Sequence, residues 1–156
     1  MENLEIERKF LVKKELWEAL EKPAGTEYLQ GYLCIDDDKV IRARVAGDKG
    51  FLTIKGTSET FSHPEFEYNI PVEEAARLIN LFSKSQVKKI RRKIALCGHI
   101  WEVDEFCGEN KGLLLAEIEL NHPDEDFEKP AWLGAEVTGD ERYYNASLSV
   151  NSWKPR

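Results

Sequence analysis

Along most of the chain, apolar and polar residues alternate one for one in short runs, the period-2 signature of antiparallel strands. The alternation predicts strands near Leu4–Val12, Tyr28–Ile35, Lys39–Ala46, Phe51–Gly56, Glu65–Ile70, Gln86–Leu96, His99–Phe106 and Leu113–Leu120. Turn-forming residues separate them: Asp36-Asp37-Asp38, Gly47-Asp48-Lys49-Gly50, Cys97-Gly98 and Gly108-Glu109-Asn110-Lys111-Gly112. The period lengthens to that of a helix in three places, Lys13–Glu21, Pro71–Ser83 and Asp140–Val150. The second opens on Pro71 with Glu73 and Glu74 in its first turn, and the third has Asp140 as its N-cap. So many strands with so few helices predict a mainly β (α+β) fold, with the sheet curled into a closed barrel or a sandwich.

Residues two apart share a face of a strand, and sorting by face gives an unusual result. Glu5, Glu7 and Lys9 stand opposite Leu4, Ile6, Phe10 and Val12. Arg42 and Arg44 oppose Ile41, Ala43 and Val45, and Lys55 opposes Leu52 and Ile54. Glu65 and Glu67 oppose Phe66, Tyr68 and Ile70. Lys89 and Arg91 share a face with Val87, Glu102 and Asp104 oppose Trp101 and Val103, and Glu117 and Glu119 oppose Ala116, Ile118 and Leu120. Two architectures fit. In a sandwich the charged faces lie in water. In a barrel turned the other way, they line a lumen whose basic groups would hold phosphate oxygens and whose carboxylates would hold a hard divalent cation. Like charges repeated at this spacing repel, so their recurrence favours a compensating ligand, but periodicity alone leaves both readings standing.

Composition narrows the function classes. The 156 residues fit one domain, residues 1–156, with 42% apolar and 33% charged positions. The 22 basic against 29 acidic side chains give a net charge of −7, which argues against a general nucleic-acid or anionic-membrane binder. No apolar run is long enough to span a membrane and the N-terminus has no leader pattern, so a cytoplasmic protein is expected. Cys34, Cys97 and Cys107 are odd in number and lie outside any CxxC spacing, which predicts buried thiols rather than disulfides or zinc ligands. His63, His99 and His122 are dispersed, no phosphate-binding glycine loop occurs, and Arg92 is expected to be solvated. Trp17, Trp101, Trp132 and Trp153 are expected to anchor helices on an apolar outer wall.

The segment Glu5-Ile6-Glu7-Arg8-Lys9 resembles the ExExK motif of the CYTH superfamily, the triphosphate tunnel metalloenzymes. Further matching segments follow in family order: Gln30-Gly31-Tyr32-Leu33, Arg42-Ala43-Arg44, Thr53-Ile54-Lys55 and Glu65-Phe66-Glu67-Tyr68. Then come Lys89-Ile90-Arg91, Glu102-Val103-Asp104-Glu105-Phe106, Ala116-Glu117-Ile118-Glu119, Glu136-Val137-Thr138 and Arg142-Tyr143. The resemblance implies an eight-stranded antiparallel β-barrel tunnel with helices packed on its outside. It implies metal ligation by Glu5, Glu7, Glu117, Glu119 and, more weakly, Asp104, with Mg²⁺ or Mn²⁺ as cofactor. Lys9, Arg42, Arg44, Lys55, Lys89, Arg91 and Arg142 would contact the substrate, and Glu65 and Glu67 would bind a second metal or balance the basic wall. Lys9, Tyr32 and Lys89 are the implied catalytic residues, with Tyr32 pairing Lys9. Near Arg142 the chain carries Glu141 and Tyr144 where some relatives have further basic residues.

The activity so implied is a divalent-metal-dependent triphosphatase acting on inorganic tripolyphosphate. The alternatives are a class IV adenylate cyclase, a thiamine triphosphatase and a non-catalytic binder of polyphosphate or nucleotide. The expected partner is a small triphosphate, with no nucleic acid or membrane, and a homodimer is left open.

Overall fold

The structure is a computed structural model that describes residues 4–57 and 62–154. Its strands are β1 (Leu4–Val12), β2 (Thr26–Ile35), β3 (Lys39–Ala46), β4 (Lys49–Gly56), β5 (Ser62–Ile70), β6 (Ser85–Leu96), β7 (His99–Phe106), β8 (Leu114–Glu119) and β9 (Leu133–Glu136). Its helices are α1 (Lys14–Glu18), α2 (Val72–Phe82) and α3 (Asn145–Val150). Antiparallel pairing runs β5-β4-β3-β2-β6-β7-β8-β1, and β1 pairs β5 again, closing eight strands into a barrel. Closure rests on three residue pairs, Leu4 with Pro64, Glu5 with His63 and Ile6 with Ser62. Beyond Ile6 the same edge of β1 passes to β9, where Phe10 pairs Glu136 and Val12 pairs Leu133.

All eight expected strands form. The hairpins explain where their ends differ. Between β3 and β4 the turn is only Gly47-Asp48, with Gly47 at φ +59°, and Lys49 and Gly50 already belong to the ladder. Cys97 (φ +48°) and Gly98 (φ +82°) make the two-residue turn from β6 to β7, whose positive φ values match the twist of the flanking strands. Cys97 is thereby exposed, while Cys34 and Cys107 are half-buried, so the expectation of buried thiols is corrected. Asp36-Asp37-Asp38 joins β2 to β3, and Lys39 reaches back to Asp36 and Asp38.

Helix α1 is shorter than expected, ending at Glu18, and the Lys22 ammonium caps its end by donating to the carbonyls of Trp17 and Leu20. Helix α2 lies on the outside of β2, β3 and β4, burying Ala75 and Ile79. Two glycines permit that approach: a Cβ on Gly31 would stand 2.8 Å from Ile79, and one on Gly50 would stand 2.9 Å from Ala75. The expected third helix is broken. Asp140 caps a 3-10 turn, Glu141–Tyr143, by accepting from the Arg142 amide. Tyr144 is extended (φ −69°, ψ 137°), and α3 starts after it.

The apolar residues form two bodies. One lies outside the barrel wall, where Phe10, Trp101, Val103, Ala116 and Ile118 meet Trp17, Trp132 and Leu133. The other lies inside one end of the barrel, where Tyr32, Val87, Phe106, Leu113 and Leu115 meet Leu148 of α3. Helix α3 therefore crosses that end instead of packing on the outside, and Trp153 packs with it and not on the outer wall.

Candidate active site

Strand register converts the alternating pattern into a ring. Lys9 pairs Glu117 and Glu7 pairs Glu119 across β1 and β8; Glu117 pairs Glu102 across β8 and β7; Asp104 pairs Arg91 across β7 and β6. The ring continues through Lys89 with Tyr28, Gln30 with Arg44, Tyr32 with Arg42, and Lys55 with Glu65. The charged faces point inward, which decides against the sandwich. They enclose a cavity of about 230 Å³ lined by Glu5, Glu7, Lys9, Tyr32, Arg42, Arg44, Lys55, Glu65, Glu67, Lys89, Arg91, Glu117 and Glu119.

Carboxylates crowd one side of this lumen around Lys55. Its ammonium stands 2.5 Å from Glu5 Oε1 and 3.3 Å from Glu7 Oε1, which drives the Lys55 pKa upward against the cost of burial. Burial and the neighbouring Glu65 push Glu5 up to about 7, and Lys55 only partly opposes them. Glu117 is raised by burial and by Glu7, and Glu119 by burial and by Glu5 and Glu7. Glu7 would also be raised by burial, but Lys55, a hydrogen bond with Glu117, and Lys9 together outweigh it and lower its pKa. Among the described residues no three of these acids close into a finished metal cage. The donor set is nonetheless all oxygen, and crowded carboxylates whose charge burial disfavours are what a hard divalent cation relieves.

The opposite wall is basic. Arg42 Nε is buried with no hydrogen-bond partner among the described residues. Arg44 donates from Nε (3.0 Å) and Nη2 (2.7 Å) to Gln30 Oε1, and its guanidinium lies 5.0 Å from the Tyr28 ring centre. Burial, with Arg42 and Arg91 nearby, lowers its pKa to about 10. Arg91 lies over the same tyrosine at 4.9 Å. Lys9 donates to the Tyr143 carbonyl (3.1 Å) and approaches the Tyr144 ring, and Lys89 donates to Asn145 Oδ1 (2.9 Å) on α3.

Three expectations are corrected by this geometry. Asp104 is fully buried and does not line the cavity. Arg91 holds both its oxygens at 2.7 and 2.8 Å and Lys89 approaches one at 2.7 Å, so Asp104 is a counter-ion to the basic wall with no oxygen free for a metal. Despite burial, those cations hold its pKa far below the carboxylate range, while burial lowers Lys89 to about 7. Arg142 lies outside the lumen, exposed and bonded to Asp140 at 2.7 Å. Tyr32 and Lys9 both line the lumen, but the Tyr32 hydroxyl accepts from Gln30 Nε2 (2.8 Å) while Lys9 is held by Tyr143. Arg92, expected in solvent, pairs Glu105 on the outer surface.

The cavity also includes His63, Glu102, Tyr144 and Asn145, which the sequence reading left out of the site. His63 shares the face of Glu65 and Glu67, and was missed because β5 begins three residues before the expected strand. Glu102 shares the face of Asp104, a signal already visible in the alternation. Tyr144 and Asn145 enter from the interruption between the 3-10 turn and α3, which no periodicity marks.

Comparison with known proteins bears on the family and the fold. The CYTH domain family matches residues 3–149. An inorganic triphosphatase from Acetivibrio thermocellus is 51% identical over 153 residues, covering 96% of both chains. One from Nitrosomonas europaea is 34% identical over 155 residues, covering 94% of this chain and 97% of its own. A solved structure of an inorganic triphosphatase superposes with a TM-score of 0.64 at 32% identity, covering 97% of each chain. A putative adenylate cyclase from Bacillus halodurans shares the fold at 15% identity, TM-score 0.58, over 78% of this chain and 84% of its own. With a closed barrel, inward charge and a family match over nearly its whole length, the chain belongs to the CYTH domain family.

Proposed function

We propose that the protein is an inorganic triphosphatase, a hydrolase that cleaves a phosphoanhydride bond of tripolyphosphate inside the barrel. The observation that carries this reading is the half-buried Arg42, which lines the lumen beside Arg44 and opposite a wall of carboxylates, its buried Nε without a partner among the described residues. Such a pairing suits a polyanion accompanied by a cation. The two curated relatives named inorganic triphosphatase support the choice among family activities.

Arg42, Arg44, Lys55, Lys9, Lys89 and Arg91 hold and orient the phosphate chain, spreading its charge over four strands. Glu5, Glu7, Glu117 and Glu119 are the ligands for a divalent cation, of which Mg²⁺ and Mn²⁺ suit an all-oxygen set. When bound, that cation supplies charge neutralisation and lowers the pKa of water. Glu65 and Glu67 flank Lys55 and Thr53 and balance the basic wall or complete a second cation site. In the metal-free lumen Glu5 is pushed up to about 7, so a bound cation would be what keeps it ionised at neutral pH. Tyr32 presents its hydroxyl to the lumen, and Lys9 and Lys89 are held beside α3 at the closed end. None of the helices among the described residues is long and apolar enough to cross a membrane, and the acidic chain suits a cytoplasmic setting.

The deciding experiment follows products from tripolyphosphate, pyrophosphate, ATP and thiamine triphosphate with Mg²⁺ or Mn²⁺. Orthophosphate released fastest from tripolyphosphate is the expected result. Cyclic AMP and pyrophosphate from ATP would make it a cyclase, preference for thiamine triphosphate a thiamine triphosphatase, and metal-assisted binding without turnover a binder.

A further inference from the structure

The two arginines that flank Tyr28 are anchored in opposite ways. Arg91 gives Nε and Nη2 to the carboxylate of Asp104, so its charge is neutralised where it is held. Arg44 gives the same two nitrogens to the amide oxygen of Gln30, at 3.0 and 2.7 Å, and gains orientation without a counter-charge. Gln30 is wholly buried and has a single workable orientation: Oε1 must face the guanidinium, which leaves Nε2 to donate to the Tyr32 hydroxyl at 2.8 Å. Because the Tyr32 oxygen accepts from that amide, its own proton is available to the lumen that Tyr32 lines.

We propose that Gln30 is a positioning residue that aims Arg44 at the substrate with its full positive charge and turns Tyr32 into a hydrogen-bond donor toward the lumen. A glutamate of the same shape would reverse both effects. It would neutralise Arg44 as Asp104 neutralises Arg91, and it would draw the Tyr32 proton to itself. The inference rests on the reading that the lumen holds a triphosphate.

The test compares wild type, Gln30→Glu, Gln30→Met, Arg44→Met and the Gln30→Glu/Arg44→Met double variant. Thermal melting is measured for each, together with calorimetric binding of tripolyphosphate without metal and steady-state kinetics with it. Gln30→Glu should weaken tripolyphosphate binding by about tenfold or more and raise KM, the scale of a charge-assisted contact. In the Arg44→Met background the same change should have a much smaller effect, because its main target is gone. Gln30→Met keeps the bulk and adds no charge, so it should lower kcat more than affinity, and it carries the test if the glutamate variant fails to fold. Wild-type affinity, KM and kcat in whichever Gln30 variants fold would overturn the assignment, as would a full Gln30→Glu penalty in the absence of Arg44. If Arg44→Met itself binds tripolyphosphate as wild type does, the triphosphate reading falls and this assignment with it. If only the Gln30 variants are unaffected, this assignment alone falls.

Discussion

At the scale of single residues, the lumen sets buried guanidinium groups against carboxylates that burial makes reluctant to ionise. Arg42→Ala or Arg44→Ala removes a charge-assisted phosphate contact worth ~1.5–3 kcal/mol, so kcat/KM for tripolyphosphate should fall by roughly one to three decades. Unchanged kinetics in both variants would place the substrate elsewhere. The acids predict a pH effect with a definite sign. Glu5 ionises near 4.5 in the unfolded chain and at about 7 in the barrel, so between these values the folded protein keeps a proton that the unfolded chain has lost. Without metal, this group therefore costs stability as pH rises from about 4.5 to about 7, and Glu117 and Glu119 act in the same direction. Glu5→Gln and Glu117→Gln should melt at neutral pH no lower than wild type when metal is absent, and should gain less from added Mg²⁺ or Mn²⁺. Melts that drop in the metal-free variants and respond fully to metal would refute the crowded-ligand account. The sequence showed which of these residues share a face. It could not show that Asp104 is consumed by Arg91 and Lys89, because that depends on two adjacent strands being in one register.

At the scale of elements, alternation carried the strands because each has one apolar and one charged face. It carried the helices less well. Strand β9 has only four residues, too few for a period, and its Gly134 lies 3.0 Å from the Leu11 carbonyl at the position a Cβ would occupy. The end of the chain read as one amphipathic helix, but the Tyr143 carbonyl is taken by Lys9, a partner 134 positions away in sequence, and the backbone is extended at Tyr144. That break lets α3 cross the barrel end with Leu148 packed among Tyr32, Val87, Phe106 and Leu115. Leu148→Ala should therefore destabilise the protein by about 2–5 kcal/mol, the usual cost of emptying a well-packed leucine site. Denaturant unfolding measures it; a loss within about 0.5 kcal/mol, typical of a surface position, would mean that α3 is not seated in the barrel.

At the scale of the whole molecule, one long-range contact gives the pattern its meaning. The same alternation suits a sandwich with its charges in water, and only the pairing of β1 with β5, some sixty positions apart, closes the barrel and turns those charges inward. Local periodicity contains no information about that closure, whereas the ordered series of motifs from Glu5 to Glu119 implied it by resemblance. Closure spreads six basic side chains around a single lumen, on β1, β3, β4 and β6, a grip suited to a chain of phosphates more than to one or two. A shorter anion forfeits contacts needed for orientation as well as affinity. The most direct measurement is the ratio of kcat/KM for tripolyphosphate to that for pyrophosphate, from orthophosphate release with Mg²⁺ or Mn²⁺ at neutral pH. The extended grip predicts a ratio of roughly a hundred or more, the loss of one or two charge-assisted contacts. Comparable values for the two substrates would contradict it and make the lumen a general phosphoanhydride site.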